Sequence, residues 1–460
     1  MAERLEAGHP GRTGTIAATL ASHFALAGDD RRTVQYHGEA AAAAKARSAD
    51  REVILHLQAA LERLPRLPDT PERAQAELGF LLDLGGAMLA ARGYASVDAE
   101  AVYRRARELA ARLDVPQAEI MAHGGAYTFH VMRGDLRRAR DIAGELLTTA
   151  ERMPFPLFTV IGHTTLGCAL FNLAEFADAR VHLERADAAW EPGFPRLALD
   201  LAVLHRTMLA FTLLHQGLPA AGAQWIQRSL GHAEALEDPF NLSYAHELAA
   251  QYHATAGDRD AALRHADVAI ALANEHGFPV HAAVATAMRG WALRDSATIR
   301  EGIEAYERLG QHVATSFFRA LLAEAELEQG RVGDALDVVR AALASADETG
   351  EHRHLAELHR LWGECMLRSV GSVDTGSRRR IAPEPAEEQA EASFQRAITV
   401  AREQGARLWE LRAVTSLSRL WRAHGRKAKA RTLLDDVYAA FTEGFDSPDL
   451  VRARELRAQL

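Results

Sequence analysis

Lysine is nearly missing from this chain: of its 53 basic residues only Lys45, Lys427 and Lys429 are lysines, and the rest are arginine. A phosphate-binding P-loop needs a Gly-Lys-Ser/Thr step, because backbone amides cradle the phosphates while the lysine reaches them. None of the three lysines follows a glycine, and the glycine-rich stretch from Gly8 to Thr15 carries arginine in that place with no strand before it. Cysteine is as scarce. Cys168 and Cys365 stand 197 positions apart, which gives neither a CxxC metal site nor a disulfide framework and suits a reducing cytoplasm. Long apolar runs are missing too: nothing reaches the roughly 18 residues of a membrane span, and no charged-then-apolar leader opens the chain. Valine, isoleucine and threonine never gather into the short alternating runs of strands. The net charge of −9 argues against a nucleic-acid-binding surface spread over the molecule.

What is present is helix. At 460 residues the chain is too long for one compact core, so it is either several globular domains or one extended array. Apolar residues recur at three- and four-residue steps, as from His265 to Ala273. A repeat is visible as a small turn residue followed five positions later by another small residue: Gly134/Ala139, Ala174/Ala179, Gly217/Gly222, Gly257/Ala262, Ala297/Gly302, Gly330/Ala335 and Gly425/Ala430. From 134 to 330 the spacings are 40, 43, 40, 40 and 33 residues, the period of a repeated helix pair. Seven residues before each anchor stand Tyr127, Gly167, Ala210, Ala250, Gly290, Ala323 and Ser418, all small except Tyr127, as expected where two helices cross closely.

These positions match the tetratricopeptide pattern, in copies mostly longer than the usual one. The reading is all-α, a right-handed superhelical solenoid of tetratricopeptide-like hairpins. It has a flexible lead over 1–14, N-terminal repeats over 15–115, central repeats over 116–368, a flexible insert over 369–385, and C-terminal repeats with a capping helix over 386–460. Two stretches sharpen the resemblance. The first runs through His23 to Gly28, Gln35 to His37, Leu61 to Leu64, Leu67 to Arg73 and Ala91 to Tyr94; the second through Ala390 to Phe394, Ala397-Ile398, Arg402 to Gln404, Glu410 to Ala413, Ser416 to Trp421 and Phe441 to Phe445. Both resemble the helical C-terminal half of bacterial multidomain signal-transduction ATPases, the large LuxR-type regulators and nucleotide-cyclase/ATPase proteins. The cyclase, ATPase and DNA-binding portions of that family would precede Met1, so their activities are not carried over. The resemblance implies a stand-alone repeat protein or a piece of a larger one, with a place in signal transduction or transcriptional regulation.

No catalytic set is recognisable: there is no GxSxG elbow, and no local serine or cysteine arrangement with histidine and carboxylate. His352, His354 and His359, followed by Glu364 and Cys365, are the densest potential metal ligands. They lack HExxH spacing, and exposed or interhelical histidines are the simpler account. Eleven residues before the turns stand His123, His163, Arg206, His246 and Arg319, either a ligand groove or, preferably, a polar layer bonded between neighbouring helices. Arg412, Arg419, Arg422 and Arg426 with Trp409 and Trp421 would form a solvated face over core tryptophans, or contact an acidic partner.

A solenoid of this kind binds through its concave wall, and the register puts Thr164, Thr207, Glu247, Gln251, Arg294 and Glu324 there. The expectation is a non-catalytic cytoplasmic module with no cofactor and no metal. It would bind a protein or peptide, with a small effector as a further option, and neither nucleic acid nor membrane. The alternatives are an enzyme with a cryptic, metal-assisted groove site around His352 to Cys365, and a purely structural assembly scaffold.

Overall fold

The structure, a computed structural model, describes residues 2–7, 13–47, 49–92, 97–195, 199–369 and 383–460. The stretch read as an insert, with its arginines at 378–380, lies largely outside the described residues, as do 8–12 of the N-terminal lead and Gly93-Tyr94 of the first family-like stretch. Among the described residues there are 23 α-helices, one 3-10 turn at Leu64–Arg66 and no strand. No described helix is long and apolar enough to cross a membrane. Successive helices pack against one another as antiparallel hairpins of the tetratricopeptide kind.

Local chemistry marks the helix ends. Proline, whose fixed φ suits a first turn, opens helices at Pro116, Pro156, Pro219, Pro239, Pro279 and Pro448. Asp29, Asp200, Asp238, Asp258 and Asp295 accept backbone N–H bonds at helix starts, caps worth about 1 kcal/mol each. Left-handed residues end the first helices of hairpins: Gly134, Ala174, Gly217, Gly257, Gly330 and Gly425 fall where the anchors place them.

One anchor falls elsewhere. The left-handed residue of the fifth hairpin is Arg294, φ +60°, and Ala297 already lies inside the helix Ser296–Arg308, which Asp295 caps. The copy is therefore shorter on that side, and Gly290 and Gly302 do not face each other. A Cβ on Gly290 would lie 2.6 Å from the Ile299 nitrogen, and one on Gly302 would lie 2.6 Å from that of Ala287. Tyr127 has its own explanation. On its helix the close approach occurs at Gly125, where a Cβ would lie 2.2 Å from the buried ring of Tyr103.

The chain divides into two compact units, residues 1–133 with 141–154, and residues 134–140 with 155–460. The first is built on Val53, Ile54, Leu57, Leu84, Met88 and Phe129. In the second, hairpins far apart in sequence come back against each other. The Ala221 N–H donates to Glu443 at 2.9 Å, and Arg412 donates to the Thr255 carbonyl at 2.6 Å. Between them runs an aromatic seam: Trp409 lies 5.2 Å from His215 and 5.6 Å from His354, which stacks on Phe317 at 4.8 Å. The second unit thus closes on itself, and a cavity is left inside it.

Candidate functional site: an arginine-rich cavity in the second unit

Four of the five polar residues found eleven before the turns bond to the neighbouring helix, and the fifth, His123, lies near a carboxylate on it. The imidazoles of His163 and His182 meet at 2.9 Å and those of His246 and His265 at 3.0 Å. Arg206 donates to Asp187 at 2.7 Å, Arg319 to Glu307 at 3.1 Å, and His123 sits 3.7 Å from Glu145. The first unit repeats the device with His37 and His56 at 3.2 Å. Burial, reinforced by the partner ring, lowers the pKa of His163 and of His265 to about 4. Within each pair one ring nitrogen can donate to the other.

The cavity is different. Its volume is about 360 Å³, the size of a small-ligand pocket. Its walls come from helices Pro239–Ala256, Arg259–His276, Pro279–Leu293, Thr315–Glu328, Leu355–Ser369, Arg407–Ala423 and Pro448–Gln459, with the turn residues Gly257, Arg294 and His354. Seven arginines line it (Arg259, Arg294, Arg360, Arg368, Arg412, Arg419, Arg452) against five carboxylates (Glu324, Glu328, Glu357, Glu364, Asp449). An excess of positive charge therefore faces the space.

Some of these charges are closed on each other. Arg360 makes a two-pronged bond to Glu357, at 2.7 and 2.8 Å. Arg412, its guanidinium over Trp409 at 4.8 Å, reaches Asp449 at 2.9 Å and Glu357 at 3.6 Å. Burial alone would raise the pKa of Asp449, but Arg412 and Arg452 outweigh it and hold the carboxyl below its usual range. Glu357 and Asp449 are buried, so the pairing with Arg412 compensates charge that would otherwise be stranded. Arg259 lies over Trp291 at 4.4 Å and donates to Glu328 at 2.8 Å.

Other groups are left open. The nearest carboxylate to Arg419 is Glu364 at 3.9 Å, and that oxygen already accepts from Ser416 at 2.7 Å. Burial, together with the charges of Arg360, Arg452 and Arg422, outweighs Glu364 and lowers the pKa of Arg419. Arg294 is 3.8 Å from a carboxylate that Arg259 holds more tightly. Arg368 donates to the Leu327 carbonyl at 2.8 Å. In the wall, His354 is 3 % exposed and neither ring nitrogen has a hydrogen-bond partner. Burial, with Arg353, His215 and Arg412 adding to it, drives its pKa well below the ordinary value.

Of the six groove residues read from the sequence, Arg294 and Glu324 line this cavity, and Glu324 accepts from the Trp291 indole at 2.8 Å. Thr164 and Thr207 are buried, Thr207 sharing a 2.8 Å bond with Ser229 and Thr164 lying 3.5 Å from His205. Glu247 and Gln251 are buried and bonded to each other at 2.8 Å. With no cation beside it, burial pushes the Glu247 carboxyl up to about 8, although the Gln251 bond opposes this. His352, His354 and His359 do not converge with Glu364 and Cys365: among the described residues no group of three His, Cys, Asp or Glu side chains is placed to hold a metal ion. Both cysteines are buried, which raises each thiol to about 12. Of the terminal arginines, Arg412 and Arg419 turn into the cavity, while Arg426 pairs with Glu391 at 2.8 Å beside the buried Trp421.

Sequence reasoning missed Arg360, Arg368, Asp449, Arg452 and the cavity role of His354. The triplet Glu357, Arg360 and Glu364 reads as an ordinary i, i+3, i+4 surface set. The available signal was Arg412 and Arg419, seven apart and so on one face of a helix otherwise rich in buried residues.

No protein-family model and no curated protein matches the sequence. Solved helical structures are similar at low levels. A Rap protein complexed with competence and sporulation factor is 14% identical, with a TM-score of 0.46, over 77% of this chain and 99% of that one. The human IFIT1 dimer with m7Gppp-AAAA is 17% identical, TM-score 0.46, over 93% and 90%. Aspartyl phosphate phosphatase F from Bacillus subtilis is 12% identical, TM-score 0.43, over 81% and 96%. Likeness at this level says nothing of ligand or chemistry.

Proposed function

We propose that this chain is a regulatory binding module without chemistry of its own, which holds a polar effector or a peptide segment inside its second unit. The observation that carries the reading is the cavity. Seven helices, drawn from hairpins up to about 200 residues apart, converge on it, and the charged side chains they and the turns bring do not all pair with each other. A repeat protein used only as a scaffold has no need to keep arginines facing a space of ligand size. Binding there would tie the hairpins around residues 254–259 to those around 409–452, so occupancy would bias how tightly the unit closes. That coupling suits a part in signal transduction or transcriptional regulation in the cytoplasm, as the resemblance to the signal-transduction ATPases implies.

The test is native mass spectrometry of the protein isolated from its own cells, comparing the intact chain with Arg294→Glu/Glu324→Arg. These two cavity residues are chosen because Glu247 and Gln251 are buried and their replacement would disturb the fold. A discrete bound compound or peptide that is lost in the variant, with helicity unchanged by circular dichroism, supports the reading. An intact chain that retains nothing, with the same partner proteins captured by both forms, overturns it.

A further inference from the structure

We propose that the cavity recognises an oxyanion, a carboxylate or phosphate group of a small effector, held by Arg419 with Arg360 and Arg452 at its side. This rests on the binding-module reading and adds the ligand's chemistry to it.

Arg360 and Arg452 are committed to Glu357 and Asp449, so their charges are fixed in place. Arg419 is not committed: its one carboxylate neighbour lies at 3.9 Å, beyond hydrogen-bond distance. It lines the cavity and keeps 47 % of its side-chain surface. A guanidinium presents five N–H donors in a fork that fits carboxylate and phosphate oxygens, two bonds at a time. Placed near two other arginines in a partly desolvated space, it experiences a net positive field, and burial with those neighbours already disfavours its charged form. An anion there relieves the repulsion; a cation would add to it.

The aromatic wall of Trp409, Trp291 and Phe317 gives the rest of such a molecule a flat apolar surface.

The experiment is isothermal titration calorimetry of the full chain at low salt with inorganic phosphate and, separately, with citrate. Arg419→Gln is the test variant, and Arg407→Gln, on the same helix but outside the cavity, is the control. At least one oxyanion is expected to bind the intact chain, with its Kd raised tenfold or more in Arg419→Gln and unchanged in Arg407→Gln. Preference between phosphate and citrate identifies which oxyanion the site is shaped for. Equal affinity in Arg419→Gln and Arg407→Gln, or no binding of either anion to the intact chain, overturns the proposal. If native mass spectrometry then still finds a neutral compound in the intact chain that the cavity variant loses, the binding module stands and only its ligand class was wrong. If nothing is held, both readings fall.

Discussion

At three places, His37 with His56, His163 with His182 and His246 with His265, two rings meet between the helices of one hairpin. In the cavity of the second unit, arginines and carboxylates from five helices and one turn meet across open space. Both sets are polar residues on helices whose other faces are buried, and sequence periodicity does not distinguish them. The rings are neutral and close on each other; the cavity charges are ionised, and Arg419 closes on nothing within 3.5 Å. The comparison teaches that a recurring polar position does not by itself mark a binding wall. What marks one is bonding capacity left over after the neighbours have been served.

The largest effect is expected at Arg412. Replacing it with alanine leaves Asp449 and Glu357 buried with less compensation, which should cost about 3–5 kcal/mol and lower the midpoint of urea unfolding accordingly. Truncating one ring of a histidine pair, as in His163→Ala, should cost no more than about 1–2 kcal/mol, since it leaves a neutral group unpaired. If the two losses are equal, the distinction between charged and neutral layers has no energetic content.

Glu247 sharpens it from another side, as a carboxyl buried with an amide and no cation. Its folded pKa of about 8 lies above its ordinary 4.5, so between those values the folded chain binds the extra proton. The contribution is fully present below pH 4.5 and is lost as pH rises towards 8. Glu247→Gln should therefore raise stability by about 1–3 kcal/mol at pH 8 and by little at pH 5, as read from thermal unfolding at the two pH values.

The histidines run the other way. Burial holds His163, His265 and His281 at about 4, while an unfolded imidazole titrates near 6.5. In that window the unfolded chain binds more protons, so stability is complete above about pH 6.5 and falls as pH drops towards 4. The double variant His163→Gln/His182→Gln should flatten this slope without changing oxyanion binding at neutral pH.

The smallest expected effect concerns Arg294. Its left-handed backbone, φ +60°, is one that glycine adopts freely and a side-chain-bearing residue does not. Arg294→Gly should stabilise the chain by about 0.5–1 kcal/mol while slightly weakening anion binding, two readouts that a merely structural residue would not move in opposite directions.

Much of the fold was legible because its signals are local. Proline at first turns, aspartate caps and small residues at crossings are read within a few positions, and six of the seven turn anchors fell on left-handed residues. The Ala297 anchor slipped to Arg294 because an arginine in a left-handed turn has no compositional signature; the cap at Asp295 was the better guide. The cavity was only partly legible. Arg294 and Glu324 came from the repeat register, but Thr164, Thr207, Glu247 and Gln251 share that register and lie buried in the unit. Which inner positions face space depends on how hairpins return upon each other, and contacts such as Arg412 with Thr255 span 157 positions.

That long-range closure has a consequence for how the protein comes into being. Neighbouring hairpins contact one another over short stretches of chain and can form in turn as synthesis proceeds, whereas non-local contacts must wait for loop closure. Glu443 and Asp449 are made some 190 to 220 residues after the Ala221 and Thr255 segments they help to secure. On the ribosome, the hairpins before residue 440 can therefore be helical and stacked while the cavity has no far wall. An effector that needs Arg452 beside Arg419 meets a competent site only after the helix Pro448–Gln459 has emerged.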